Sequence, residues 1–195
     1  MLEETGGHTI GKPQMDERRR RFEAQALPHL DAAVNLARWL AGSPADADDV
    51  VQDAMLRAFR AFDGFRGTDA KPWLLAIVRN CWRNQAGDKK RRGHVPLPDE
   101  QDAVNDKPIV HDGASPEALA VSADERRKLD GVIATLPDEF REVLVLREME
   151  DMSYREIAEV IGAPVGTVMS RLSRARAMLR ETWLGQVEGA RHAMS

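Results

Sequence analysis

An all-α protein with two small helical domains is the fold that this sequence predicts. Two observations carry the prediction. Apolar residues recur at spacings of three and four over most of the chain, and no useful stretch alternates apolar and polar residues as a half-buried strand would. Residues 96–123 interrupt this pattern, because they are acidic, rich in proline and without periodicity. They therefore predict a flexible acidic linker between two domains and not a third domain.

The composition argues against several classes of protein. The chain has 195 residues, of which 43% are hydrophobic, and this suits one ordinary domain or two small ones. No run of about 18 apolar residues occurs, so no membrane span is expected, and residues 1–21 lack the pattern of a secretory signal. Cys81 is the single cysteine, which excludes an internal disulfide and a cysteine zinc site. A reducing cytoplasm is the expected location.

The first domain is predicted over residues 21–95. Residues 1–20, which precede it, are polar and are expected to form a disordered N-terminal extension. A helical pattern begins near Phe22, keeps one face apolar, and ends at Gly42.

Two further helices complete this domain. The first of them begins at Ser43, a good N-cap, with Pro44 at the first helical position. The glycines and aspartates of residues 63–69 predict a loop. Pro72 then lies at the start of a long helix that runs into a basic cluster ending at Arg92.

The second domain is predicted over residues 124–184, followed by a C-terminal tail, residues 185–195. Ser153 caps a short helix, and Glu156 three residues later completes a capping box. Residues 162–164 form a tight turn into the last helix.

The last helix has an outward face that suits duplex DNA. When its apolar stripe is buried, Thr167, Ser170, Arg171 and Arg174 remain outside. Arginine can donate two parallel hydrogen bonds to guanine, and hydroxyls can serve bases or phosphates. A solvated basic face on a structural helix is the alternative, but a capped helix and a three-residue turn before it favour a helix–turn–helix that enters the major groove.

The long helix of the first domain is a second candidate for binding nucleic acid. Phe65, Trp73 and Trp82 lie near Arg79 and three further polar residues, Asn80, Arg83 and Asn84. Bases stack on aromatic rings while cations meet phosphates, so this mixture suits a single strand. The alternative is that both tryptophans belong to the core.

The helix that begins at Pro44 has an acidic face composed of Asp48, Asp49, Gln52 and Asp53. Acids early in a helix are stabilised by its dipole, and this structural explanation has the same weight as a functional one. The alternative is a docking surface for a basic protein partner.

Enzymatic constellations are absent from the sequence. It has no glycine-rich phosphate loop and no His-Glu-x-x-His pattern, and its five histidines are scattered. We therefore expect no catalytic residues, no metal site and no cofactor.

These pieces, in this order, resemble the extracytoplasmic-function (ECF) sigma factors, the smallest bacterial initiation factors of the sigma-70 type. Residues 49–58 (DVVQDAMLRA) are similar to the helix of sigma region 2 that docks on RNA polymerase. Residues 65–67 (FRG) and 73–80 (WLLAIVRN) resemble the promoter-melting segment. Residues 154–158 (YREIA) and 166–176 (GTVMSRLSRAR) resemble region 4.

The resemblance implies a role for each matching residue. Asp49, Gln52 and Asp53 would hold the β′ clamp helices of core polymerase, and region 4 would meet the β flap. The loop of residues 65–71 would capture a flipped base of the minus-ten element. The full set of minus-ten contacts would be Phe65, Arg66, Trp73, Asn80, Trp82, Arg83 and Asn84. The minus-thirty-five contacts would come from Thr167, Met169, Ser170, Arg171, Ser173 and Arg174.

The expected function is promoter-specific initiation under the control of an anti-sigma factor. One alternative is a helix–turn–helix regulator that acts without core polymerase, although it leaves the acidic and aromatic helices unexplained. The other is a sigma-like decoy that binds an anti-sigma factor.

Overall fold

The computed structural model describes residues 12–91 and 128–193, and no strand occurs within these two ranges. The first range contains α1 (Lys12–Gln25), α2 (Leu30–Ala41), α3 (Pro44–Ala61) and α4 (Ala70–Arg91). The second contains helical residues 128–134, labelled α5, followed by α6 (Asp138–Glu148), α7 (Tyr154–Ile161) and α8 (Val165–Ala193). The all-α fold class is confirmed. The predicted linker, residues 96–123, lies outside the described residues.

The N-terminal extension differs from its prediction. Residues 1–20 are expected to be disordered, but α1 already includes Lys12 and the run of arginines that follows. The pattern near Phe22 also predicts one helix, whereas a short 3-10 helix, Leu27–His29, separates α1 from α2. Pro28 explains the break, because proline has no N–H to donate within an α-helix and crowds the preceding turn. The arginine-rich sequence of α1 shows no apolar periodicity, so it does not predict a helix. The tertiary contacts of these arginines cannot be predicted from neighbouring residues.

The caps predicted for two helices are present. The Ser43 hydroxyl accepts a hydrogen bond from the Asp46 amide at 3.2 Å. Ser153 and Glu156 exchange the two bonds of a capping box, at 2.7 and 3.3 Å. Gly162 then ends α7 in the left-handed region, with φ of 63°. These local signals set the boundaries of α3 and α7 before any long-range packing is considered.

Each domain has its own group of buried side chains. In the first, α2, α3 and α4 pack on one another; in the second, α6 and α7 pack on α8. The largest fully buried side chains are Leu36, Val50, Phe62, Leu74, Leu75 and Val78 in the first domain and Val132, Val143, Val145, Leu146, Ile157 and Leu172 in the second.

The two domains also pack against each other. Helix α4 lies against α7, and α2 lies against α6. The buried apolar side chains of both domains therefore form one continuous cluster. This arrangement brings the predicted single-strand helix of the first domain against the helix–turn–helix domain, a placement that no sequence pattern indicated.

Helix α8 continues well beyond the predicted end of the second domain. It has 29 residues and runs to Ala193, so the predicted tail, residues 185–195, is helical as far as it is described. Among the described helices, none combines the length and the apolar character that crossing a membrane requires.

Candidate nucleic-acid interface

The helix–turn–helix leaves one face of α8 open. Val168, Leu172 and Ala175 are buried in the second domain. On the opposite side, the Met169 side chain is 54% exposed, and Ser170, Ser173 and Arg174 are exposed as well. This split follows from helical periodicity, since the buried residues recur at spacings of three and four. An exposed, polar helical face after a tight turn is the kind of surface that helix–turn–helix proteins place in a major groove.

Two of the residues predicted for this face are less free. Arg171 is half-buried, and its Nη2 lies 3.0 Å from Oε2 of Glu139 in the first turn of α6. Thr167 is also half-buried, and its carbonyl accepts a hydrogen bond from the Ser170 hydroxyl at 3.0 Å. Arg171 would therefore have to exchange a carboxylate for a DNA group, whereas Arg174 is exposed.

The aromatic residues of the first domain form a cluster at the start of α4. The Phe65 ring stacks on buried Phe62, with centroids 6.0 Å apart, and tilts against Trp73 at 5.0 Å. Both Phe65 and Trp73 are half-buried. A Cβ on Gly67 would lie 2.8 Å from Cε2 of Phe65, which shows that the loop closes tightly over this ring. The cluster is thus a packed aromatic platform in which Phe65 and Trp73 are only partly covered.

The loop of residues 65–71 is tied down at its far end. Asp69 accepts a hydrogen bond from the Lys71 amide at 2.8 Å and so caps α4. Its carboxylate also lies 3.6 Å from Nε2 of His29. Arg66 is exposed and donates to backbone carbonyls of its own loop, at Asp63 and Phe65. The loop is therefore held by local bonds at Arg66 and Lys71 and by the contact of Asp69 with His29.

The polar residues predicted along α4 divide into two groups. Asn80, Arg83 and Asn84 are exposed, whereas Trp82 is half-buried and packs against the core. The four therefore do not form one uniform surface. Only the first three leave their side chains available to a nucleic-acid backbone.

A buried ion pair joins α4 to the second domain. Nε of Arg79 lies 2.7 Å from Oε1 of Glu142 in α6, and the two side chains are 8% and 3% exposed. Burial raises the pKa of the Glu142 carboxyl, and the charge and hydrogen bond of Arg79 oppose that shift. Arg171 and Arg83 lie close enough to Glu142 to lower its pKa as well. Arginines of both predicted DNA-binding helices therefore converge on one carboxylate.

A second polar contact joins the domains at the turn between α6 and α7. The Glu150 side chain is 8% exposed and lies 3.1 Å from Nζ of Lys71, at the end of the predicted base-capturing loop. It also accepts a hydrogen bond from Nδ2 of Asn35 in α2 at 2.7 Å. The Glu150 carbonyl accepts a further bond from Lys71 at 2.7 Å.

Glu142 and Glu150, which join the two domains, were not predicted from the sequence as contact residues. Glu142 lies between the apolar residues of α6, and its sequence position is typical of a solvent-facing acid. Glu150 follows the end of that helix. Neither has a local signal, because their partners are separated from them by 63 and 115 residues.

The predicted polymerase surface lies on α3. Asp49 and Gln52 are exposed, whereas Asp53 is half-buried. Asp53 accepts a hydrogen bond from Nε of Arg57 at 2.9 Å. It also lies over the buried Cys81 thiol, whose pKa rises to about 11, mainly through burial and then through the nearby Asp53 charge. Asp49 and Gln52 are thus the two predicted contacts that are free to meet a partner.

No group of three potential metal ligands occurs among the residues that the structure describes.

Comparison with known proteins agrees with this architecture. The chain matches Sigma-70 region 2 over residues 27–92 and Sigma-70 region 4 over residues 126–179. It is 39% identical over 137 residues to the ECF RNA polymerase sigma-E factor of Escherichia coli K12, covering 67% of this chain and 70% of that protein. It is 34% identical over 161 residues to the ECF sigma factor SigE of Mycolicibacterium smegmatis, covering 78% of this chain and 58% of the relative.

Solved structures give the same result. The sigma factor RpoE of Bartonella quintana, in complex with the anti-sigma factor NepR, superposes with a TM-score of 0.65 at 26% identity, covering 85% of this chain and 96% of RpoE. CnrH, in complex with the cytosolic domain of CnrY, shares the fold with a TM-score of 0.59 at 24% identity, covering 88% of this chain and 95% of CnrH. With both sigma regions present in order and identity of 39% over two thirds of its length, the chain belongs to the ECF family of RNA polymerase sigma factors.

Proposed function

We propose that this chain is the promoter-specificity subunit of a bacterial RNA polymerase and that it has no catalytic activity of its own. The observation that carries this proposal is the presence, in one chain, of two different surfaces for nucleic acid. The open face of α8 suits duplex DNA, and the aromatic platform beside α4 suits an unpaired strand. Initiation needs both, since a promoter is recognised as a duplex and then opened.

The upstream element would be read by the open face of α8. Arg174 and Ser170 would approach base edges or phosphates, and Arg171 would join them after leaving Glu139. Met169 offers an apolar contact suited to a thymine methyl group. The full set on this surface is Thr167, Met169, Ser170, Arg171, Ser173 and Arg174.

The downstream element would be held by the first domain. A base extruded from the duplex costs a few kcal/mol to unstack, and contact with aromatic side chains offsets that cost. The half-buried Phe65–Trp73 pair would provide this contact, and the exposed side chains of α4 would contact the backbone of the same strand. The set comprises Phe65, Arg66, Trp73, Asn80, Trp82, Arg83 and Asn84.

Core polymerase would bind the exposed acids of α3. Asp49 and Gln52 support this because both are exposed, and Asp53 would contribute its remaining acceptor capacity. Polymerase holds the two domains on one promoter, so the second contact gains from a high effective concentration. We propose the β′ clamp helices as the partner of α3 and the β flap as the partner of the second domain.

An anti-sigma factor would control this chain. The chain would act in the cytoplasm, where polymerase and chromosome are found. The support is the relationship to RpoE of Bartonella quintana, whose structure contains the anti-sigma factor NepR.

Reconstituted transcription tests the proposal. The purified chain is mixed with core polymerase and fragmented genomic DNA, and transcript 5′ ends are mapped by sequencing. We expect a set of start sites that share two spaced elements and that are absent with core polymerase alone. Failure to direct initiation from any fragment would overturn the proposal.

Binding to core polymerase separates the alternatives. We expect the Asp49→Ala/Gln52→Ala variant to bind core polymerase more weakly than the wild type. Glu159→Ala, which removes an exposed acid of the second domain, is the control. A plain helix–turn–helix regulator would bind duplex DNA tightly without polymerase, and a decoy would bind an anti-sigma factor but not polymerase.

A further inference from the structure

We propose that Arg18 of α1 is a positioning residue for the loop of residues 65–71, and thus for the capture of an unpaired promoter base. The inference rests on the proposed function of that loop. Helix α1 precedes the Sigma-70 region 2 match, which begins at residue 27. Its arginines would ordinarily be assigned to a solvated, basic N-terminal segment.

Arg18 instead reaches the end of α3. Its side chain is only 11% exposed. Nη2 donates to the carbonyl of Phe59 and, at 2.6 Å, to that of Arg60. These carbonyls belong to the last turn of α3, where the helix leaves its acceptors unpaired. A guanidinium suits this position because it donates several hydrogen bonds in a fixed plane and remains charged, which also favours the negative end of the helix dipole.

The same guanidinium contacts the residues that lead into the loop. Its Cζ lies 4.8 Å from the centre of the Phe59 ring. Nη1 lies 3.4 Å from Oδ2 of Asp63, inside the 3-10 helix Phe62–Gly64 that connects α3 to the loop. Arg18 therefore joins three consecutive features: the end of α3, its aromatic side chain and the connecting turn.

Aromatic packing carries this restraint to the loop. Phe22, one turn after Arg18, meets Phe59 and Phe62 edge to face, at 5.3 and 5.4 Å. Phe62 is fully buried and touches the rings of both Phe65 and Trp73, each at 6.0 Å. The Phe65 amide donates back to the Phe62 carbonyl at 3.0 Å. The orientation of the Phe65 platform thus depends on Phe62, which α1 holds from the other side.

Arg20 offers a matched control. It lies on the same helix, carries the same charge and is exposed. Arg18→Gln and Arg20→Gln change the net charge equally, so a difference between them reports position and not charge. Arg18→Lys keeps the charge but cannot donate in a plane to two carbonyls and stack on a ring.

The first measurement is hydrogen exchange on the full chain, at a temperature well below unfolding of each variant. We expect the Phe65 amide to exchange at least about tenfold faster in Arg18→Gln than in wild type, equivalent to about 1.4 kcal/mol of lost protection. Arg18→Lys should fall between them, and Arg20→Gln should match wild type. Unchanged exchange of Phe65 in Arg18→Gln would overturn the proposal.

The second measurement uses holoenzyme and a single-stranded oligonucleotide that carries the non-template minus-ten element of a promoter mapped by reconstituted transcription. We expect Arg18→Gln to weaken binding of this strand about tenfold, as lost stacking would, while Arg20→Gln does not. Binding of core polymerase should be unchanged in both variants. A lower melting temperature with unaltered strand binding would reduce Arg18 to a structural residue and overturn the proposal.

The two failures are distinguishable. If wild-type holoenzyme initiates and binds the strand but Arg18→Gln does so equally well, only the role of Arg18 fails. If wild-type protein directs no initiation, the proposed function itself fails, and this inference with it.

Discussion

The two helices predicted to contact DNA use their arginines in opposite ways. On α4, Arg79 is buried and holds Glu142 of the second domain. On α8, Arg174 is exposed. Both residues lie in polar, basic helix faces that look alike in sequence. The second domain therefore covers part of the predicted single-strand surface of the first domain, while most of its own predicted duplex surface stays open.

The covering groups are carboxylates, the chemical class that most resembles a DNA phosphate in charge. Glu142 meets Arg79, and Glu150 meets Lys71. Strand binding along the whole of α4 would therefore require the domains to separate. The following four changes test this contrast between a covered and an open surface.

Removal of Glu142 should have the largest effect on the folded chain. Glu142→Ala leaves the Arg79 guanidinium buried without its partner, which typically costs about 3–5 kcal/mol. We expect a lower midpoint of urea unfolding and a larger radius of gyration by small-angle scattering, as the domains part. Glu139→Ala is the control, because that side chain is 54% exposed in its pair with Arg171.

A double replacement tests the reason for that loss. Arg79→Met/Glu142→Leu removes both charges together, so it should recover most of the stability lost in Glu142→Ala. Equal stability of Glu142→Ala and Glu139→Ala would contradict the contrast between a buried and an exposed pair.

Removal of Glu150 should have a smaller and more local effect. Glu150→Ala deletes the side-chain acceptor of Asn35, and a hydrogen bond to a charged group contributes about 1.5–3 kcal/mol. Lys71 loses its carboxylate partner but is 24% exposed and keeps its bond to the Glu150 carbonyl. Hydrogen exchange should accelerate around Asn35 and Lys71, with little change in α8. Asp151→Asn, one residue later and exposed, should leave both regions unchanged, since asparagine tolerates the positive φ of 51° at this position. Uniform acceleration over both domains would argue that the contact is not local.

Substitution of Arg174 should affect DNA and leave the fold intact. An arginine that reads a base pair contributes about 1–3 kcal/mol of discrimination. We expect Arg174→Ala holoenzyme to bind a duplex upstream element about 10- to 100-fold more weakly, with an unchanged melting temperature. Arg180→Ala removes an exposed arginine of the same helix outside the predicted set. If the two variants weaken binding equally, and for every sequence tested, α8 contributes only general charge.

Cys81 should report on the packing beneath the predicted polymerase surface of α3 and have the least effect on either predicted DNA surface. Because its pKa rises to about 11 from 9.0, the thiol stays protonated at neutral pH, and iodoacetamide should modify the native chain far more slowly than the urea-unfolded chain. Burial favours the neutral thiol, so the folded chain keeps this proton to a higher pH than the unfolded chain does, and stability falls as pH rises. Its contribution to stability is complete below pH 9 and is lost as pH rises through about 11. Rapid labelling of native protein at pH 7 would contradict this.

Capping residues explain why much of the fold was predictable. Ser43 and the Ser153–Glu156 box are satisfied by groups within three residues, so the boundaries they set depend on the local chain alone. The same holds for the outward face of α8, which follows from the burial of Val168 and Leu172 at helical spacing. The failures have a common cause. Helix α1 owes its order to Phe59, Phe62 and the carbonyls that Arg18 reaches, some 41 residues away.

The predicted site residues divide in the same way. Met169, Ser173 and Arg174 are exposed because their own helix turns them outward. Arg171 belongs to the same predicted set, but it pairs with Glu139 of α6, which no local pattern associates with it. Asp53, one of the predicted polymerase contacts, is paired locally, by Arg57 one turn later on its own helix.

The all-α class, the start of most helices, and the polar faces of α3, α4 and α8 follow from local sequence, because periodicity and capping are properties of a few consecutive residues. Which of those faces remain open depends instead on long-range packing. Whether an arginine is free or buried depends on which carboxylate the folded chain brings to it. Arg79 and Glu142 lie 63 residues apart in sequence, and packing of α4 on the second domain joins them.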